Sequence, residues 1–144
     1  IAGILLIVGA GGGFKQTLVD SGIADIIAAW IEQAAVPALL AGWLVAVAVR
    51  LATGSATVAT ITAAGIMKPL AADMPPTGVA LLVLAIGAGS VFLSHVNDAG
   101  FWLVKEYFGM SVGQTFKTWS LMETILSVTA MIVIALVALP LGVL

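Results

Sequence analysis

The sequence has no cysteine, a single histidine and only 8% charged residues, and each scarcity excludes something. Without cysteine there is neither a disulfide framework nor a thiolate metal site. With one histidine, a zinc site is not expected either. Five Lys/Arg and seven Asp/Glu in 144 residues fall far below the roughly 25% charge of a soluble domain, too few to cover a globule in water. The net charge of −2 offers no footing for nucleic acid. No nucleophile elbow accompanies Ser94, His95 and Asp98, and the glycine run 9–13 lacks the Lys-Ser/Thr ending of a phosphate loop, so no enzyme is expected. What is present is apolar: 62% hydrophobic residues and a mean hydropathy of +1.23. These point to an all-α integral membrane protein, with the lipid bilayer as its first partner.

The chain opens on Ile1 inside an apolar run, with no charged flank before it and no small-residue cleavage site after it. A signal peptide is therefore a poor fit. The expectation is a piece of a longer polytopic protein that ends naturally on an apolar helix.

Along the chain, Gly9-Ala-Gly-Gly-Gly13 implies close helix packing or an unwound segment, since glycine costs roughly 1 kcal/mol relative to alanine in a helix. Residues 23–33 place Ile23, Ile26, Ile27, Trp30 and Ile31 opposite Asp25 and Glu32, the pattern of a short helix lying in the membrane interface. Residues 37–51 and 58–70 form two apolar helices on either side of a stretch rich in Gly, Ser and Thr. The first would be roughly 21 Å long, short of a hydrocarbon core of about 30 Å. A re-entrant hairpin is favoured over one long helix with an unwound centre. Residues 71–77 read as an extramembrane turn. The apolar run 78–93 breaks at 94–100 and resumes over 101–108, as a broken transmembrane helix would. Residues 109–118 read as a polar connection. Residues 119–139 make the cleanest spanning helix, with Trp119 as interface anchor and Glu123 near enough to the boundary to reach water.

Two polar interruptions at membrane depth call for a joint explanation. Irregular backbone survives there only when shielded by protein or lining a cavity, and a broken helix offers free N–H groups and the positive end of its dipole. The expected substrate-binding residues are Thr53, Gly54, Ser55 and Thr57 from the first interruption, and Ser94, Asn97 and Asp98 from the second. Hydroxyls, an amide and a carboxylate suit a polyhydroxylated anion. The plainer roles are that Ser55 and Asp98 cap the helices after them, that Thr60 and Thr62 bond back to their own helix, and that Arg50 finds a structural acid or carbonyl. Asp98 is the first proton-coupling candidate, because an ionisable residue in a membrane segment is a functional hypothesis by default. His95 is the second, because histidine changes charge near physiological pH.

The blocks Ile7-Val-Gly-Ala-Gly-Gly-Gly-Phe14, Asp20-Ser-Gly22, Arg50-Leu-Ala-Thr-Gly-Ser-Ala-Thr-Val-Ala59 and Ser94-His-Val-Asn-Asp-Ala-Gly-Phe-Trp102 resemble the gluconate permease (gluconate:proton symporter) family. They stand in the order and approximate spacing of its C-terminal third, over essentially all 144 residues. The resemblance implies proton-coupled uptake of gluconate or a related sugar acid across a bacterial inner membrane, with protons as coupling ion and no other cofactor. It also implies a homodimer built from inverted repeats, each with a re-entrant hairpin and a broken helix, moving as an elevator. Residues 1–144 would then be the second half of one membrane domain, dependent on an N-terminal remainder for the rest of its site. If that hairpin opens outward, residues 69–77 are periplasmic and 105–117 cytoplasmic, in keeping with their lysines. Two alternatives stay open: a carrier for another carboxylate of the same architecture, and a non-transporting membrane scaffold subunit.

Overall fold

A computed structural model describes residues 36–143 continuously and, before them, only Gly13, Gln16, Thr17, Asp20, Ser21, Gly22, Ile26, Ala29, Trp30 and Gln33. The glycine run and the interfacial helix expected over 23–33 therefore lie, but for these positions, outside the described residues. Pro37, extended at ψ 133°, precedes helix α1 (Ala38–Thr53). The helix stops at Gly54, whose left-handed φ of 68° lets its N–H return to the Arg50 carbonyl at 2.9 Å. This is a glycine C-cap, favoured because only glycine enters that conformation without a Cβ clash. Ser55 is extended, and its Oγ accepts the Val58 N–H as N-cap of helix α2 (Ala56–Ala71). Two residues thus end one helix and begin the next.

A short turn leads to helix α3 (Pro76–Ser90), which opens on proline, a residue preset for the first helical turn. Residues 91–98 are not helical, and Leu93 sits there at φ 44°, a left-handed conformation costing a non-glycine residue about 1 kcal/mol. Asp98 caps helix α4 (Ala99–Tyr107). After Gly109, Ser111 and Gln114 form a reciprocal capping box that opens helix α5 (Val112–Thr115). That helix runs through a π-helical turn at Phe116–Ser120 into helix α6 (Leu121–Leu141).

Val112–Leu141 is thus one continuous 30-residue helix with a mean hydropathy of 2.5 in its most apolar window. At 1.5 Å per residue it measures about 45 Å, enough to cross a bilayer. The polar connection expected over 109–118 is mostly helix instead. The Ser111–Gln114 box starts the helix before the apolar pattern begins, and Gln114, Lys117 and Thr118 simply occupy its exposed faces. Helices α1, α2 and α3 have 16, 16 and 15 residues, about 24 Å at most. No strand occurs among the described residues.

The core lies among α1, α2, α3 and α6, with Leu39, Ala46, Ala63, Met67, Leu82, Ala85, Ile134 and Ala138 buried together. Alanines alternate there with larger aliphatic side chains, and the small residues let backbones approach closely. At Gly89, a Cβ would run into the Trp43 carbonyl, and at Gly42 into the Leu82 side chain. Trp43 also packs edge-on against Phe92 at 5.7 Å and donates its Nε1–H to Ser127 at 3.1 Å. On the other side α6 exposes Leu126, Ile132, Leu136 and Leu139. So continuous an apolar face fits lipid or further protein, not water.

Candidate functional site

The polar residues gather where α1 ends, where the 91–98 segment passes, and where the π-turn enters α6. Arg50 lies one turn from the end of α1 and is 4% exposed. Its Nη2 donates to Asp98 Oδ2 at 2.5 Å and lies 3.6 Å from Glu123 Oε2. The structural partner expected for Arg50 is thus an acid, and it is drawn from the other interruption. The same Asp98 Oδ2 accepts the Ser94 hydroxyl, while Oδ1 accepts the Gly100 N–H at 2.8 Å. One carboxylate therefore neutralises a buried cation, fixes its own loop and caps α4. A charged group satisfied this fully is stable where an unpaired one would be very costly.

Ser94 is fully buried. Its hydroxyl also accepts the Trp119 indole N–H at 3.0 Å, and its carbonyl accepts the Ser120 hydroxyl. Trp119 and Ser120 both belong to the π-turn, a feature often found at functional positions. Trp119 points its polar edge at Ser94. Glu123 departs from expectation. Because the helix begins at Val112, Glu123 sits about three turns along it. It is 14% exposed and turned toward Arg50, not free to reach water, and its Oε2 has no hydrogen-bond partner among the described residues.

The first interruption meets the second directly. Asn97 Nδ2 donates to the Leu51 carbonyl at 2.9 Å, satisfying one of the acceptors that a helix C-terminus leaves free. Gly54 is buried so tightly against Asn97 that a Cβ would overlap its backbone carbonyl. Thr53 donates its hydroxyl to Val49 at 2.8 Å and Ser55 spends its Oγ on the α2 cap. Thr57 is exposed on the first turn of α2, and His95 is half-buried within the second interruption. Thr60 bonds back to Ala56 at 2.9 Å as expected, but Thr62 does not. Thr62 is fully buried with no partner for its hydroxyl among the described residues, a correction, since back-bonding was expected of both threonines.

Three of the residues organising this cluster, Trp119, Ser120 and Glu123, lay outside the expected site. Only Glu123 carried a usable sign, as an acid within a spanning helix. The broad groove between α3 and α6, lined by Val83, Gly87, Leu126 and Ile134, is apolar and includes none of the polar cluster. Among the described residues no group of three His, Cys, Asp or Glu is placed to hold a metal.

A family model for the GntP family permease matches residues 1–140. The chain is 59% identical over 138 residues to a gluconate permease of Pseudomonas aeruginosa, covering 96% of this chain and 31% of that protein. It is 53% identical over 134 residues to a high-affinity gluconate transporter of Escherichia coli, covering 92% of this chain and 30% of that protein. With the Gnt-II system L-idonate transporter of Escherichia coli the identity is 48% over 132 residues, again 92% of this chain and 30% of that protein. The chain thus spans about 30% of the length of these curated relatives. No solved structure matches it. Its helices, its exposed apolar face and these relationships agree: the chain is part of a membrane protein and belongs to the GntP family of permeases.

Proposed function

We propose that this chain is the C-terminal part of a single membrane domain in a permease that moves gluconate or a related sugar acid with protons across the bacterial inner membrane. Helices α1 and α2 form the re-entrant hairpin of the second inverted repeat, and α3 with α4 forms its broken transmembrane helix. The N-terminal remainder supplies the other half of the site, and the working protein is a multi-pass homodimer.

The observation carrying this proposal is the joining of the two interruptions by Asn97 on the Leu51 carbonyl and by Arg50 on Asp98. Helix packing alone does not require that two polar breaks in separate elements hold each other in place. A transporter that binds its substrate between such breaks does. The start of α2, capped by the neutral Ser55, keeps further free N–H groups and a positive dipole end suited to a carboxylate, whereas the start of α4 already holds the Asp98 carboxylate. Thr53, Gly54, Ser55 and Thr57 line one side, and Ser94, Asn97 and Asp98 the other. Proton coupling belongs to the cluster around Asp98 and His95. The names of the relatives favour a sugar acid, gluconate in two cases and L-idonate in the third. Another sugar acid on the same architecture is the second choice.

The test is radiolabelled gluconate uptake by the intact permease in lipid vesicles under an imposed pH gradient, competed with idonate. Accumulation above the external concentration, dependent on the gradient, is expected. Uptake no faster than in empty vesicles would overturn the proposal.

A further inference from the structure

The Arg50 cluster contains one cation and two carboxylates, and they are not equivalent. Asp98 has the guanidinium at 2.5 Å, the Ser94 hydroxyl and the Gly100 N–H. Glu123 has the same Arg50 Nη2 at 3.6 Å and the Ser94 backbone beside it, and its Oε2 has no hydrogen-bond partner among the described residues. Both side chains are largely buried, at 15% and 14% exposure. A single guanidinium neutralises a single carboxylate, so with both acids ionised one buried negative charge is left uncompensated, an expensive state.

We propose that Glu123 carries the coupling proton, and that Asp98 is the permanent counter-ion of Arg50. The assignment rests on the proton-coupled function proposed above and places the proton within that cluster. A proton from one side of the membrane bonds to a Glu123 carboxylate oxygen and leaves it neutral. The same O–H bond breaks when the site opens to the other side, so charge and atoms balance without any further reactant. Asp98 keeps its three donors throughout.

Besides Asp98, the titratable side chain of the second interruption is His95, half-buried there. Glu123 faces Arg50 from α1, and Asp98 and the Ser94 backbone from the second interruption. Helix α3, the element packed most extensively along α6, has no titratable side chain in its sequence. Lys105 and Glu106 of α4 pair with each other at 2.7 Å at an exposed position. On α6 itself, Glu123 is the sole titratable side chain between Leu121 and Leu141.

Two measurements on the full-length permease in lipid vesicles test this. The first labels the wild-type protein with dicyclohexylcarbodiimide, which attacks protonated carboxyl groups in apolar surroundings, and locates the adduct by mass spectrometry. Modification at Glu123 that declines as pH rises is expected; an adduct on Asp98 with Glu123 unmodified would overturn the assignment. The second compares Glu123→Gln with wild type. The variant should keep gluconate counterflow, which needs no net proton movement, and lose accumulation driven by a pH gradient. Accumulation equal to wild type would also overturn it. If the wild-type protein moves no gluconate, the transport proposal falls by itself, and the carbodiimide pattern still decides where the proton sits. That labelling also settles the matter if the variant does not fold.

Discussion

The chain leaves helical structure twice amid apolar sequence, and the two interruptions are held by different means. At 54–55 the break takes two residues and is made by local backbone chemistry: a left-handed glycine ends one helix and a serine side chain begins another. At 91–98 the break takes eight residues and has no glycine within it. It relies on side chains that reach in from elsewhere, Arg50 from α1, with Trp119 and Ser120 from the π-turn. The first can form wherever its sequence occurs. The second exists only once α1 and the long C-terminal helix are in place. Joining them makes the self-sufficient turn a clamp for the dependent one.

Substitutions that separate the two kinds of support should therefore differ in size. The largest loss is expected from Asp98→Ala, which removes the acceptor for three donors and leaves Arg50 buried without its close partner. Breaking a buried pair in this way costs about 3–5 kcal/mol. Thermal unfolding of the full-length permease in detergent should show it, and an unchanged midpoint would mean the second break does not depend on this carboxylate.

Gly54→Ala comes next. It combines a positive φ with a Cβ driven into the Asn97 carbonyl, for a cost of about 2 kcal/mol or more. Gly109→Ala is the control, because Gly109 has a similar φ of 61° but open space around it. It should cost about 1 kcal/mol, the backbone component alone. Equal losses at both positions would show that contact between the breaks contributes nothing.

Ser55→Ala removes the cap of α2 and should cost about 1 kcal/mol, with Ser55→Asp restoring most of it. The smallest change, of opposite sign, is expected from Thr62→Val. It replaces a buried hydroxyl that has no partner by a methyl of the same shape, so stability should hold or rise by about 1 kcal/mol. A clear loss would reveal a partner for Thr62 in the rest of the permease.

The local features were legible because their causes are local. Gly54 and Ser55 mark a helix end and a helix start in any context, and Pro37 and Pro76 mark starts. Asp98 was legible as the cap of α4. Glu123 was placed too near a helix end because the boundary was set where apolar residues begin, whereas the Ser111–Gln114 capping box starts the helix at Val112. Moving that start carried Glu123 inward, while the π-turn brought Trp119 and Ser120 to Ser94. Thr62 was misjudged because helical spacing offers every threonine the same back-bond and does not encode that this one is fully buried.

The sequence by itself determined that the chain is helical and apolar and where it breaks. These follow from composition, from glycine and proline geometry, and from short capping motifs acting over a few residues. Only the tertiary structure decided that Arg50 spans both breaks, that Asp98 is satisfied and that Glu123 is left over. Arg50 stands 48 residues from Asp98 and further still from Glu123, and no periodicity encodes which of two buried acids a single cation will hold. That choice belongs to packing, which sets the distances, and to charge, which allows one guanidinium to satisfy only one of them.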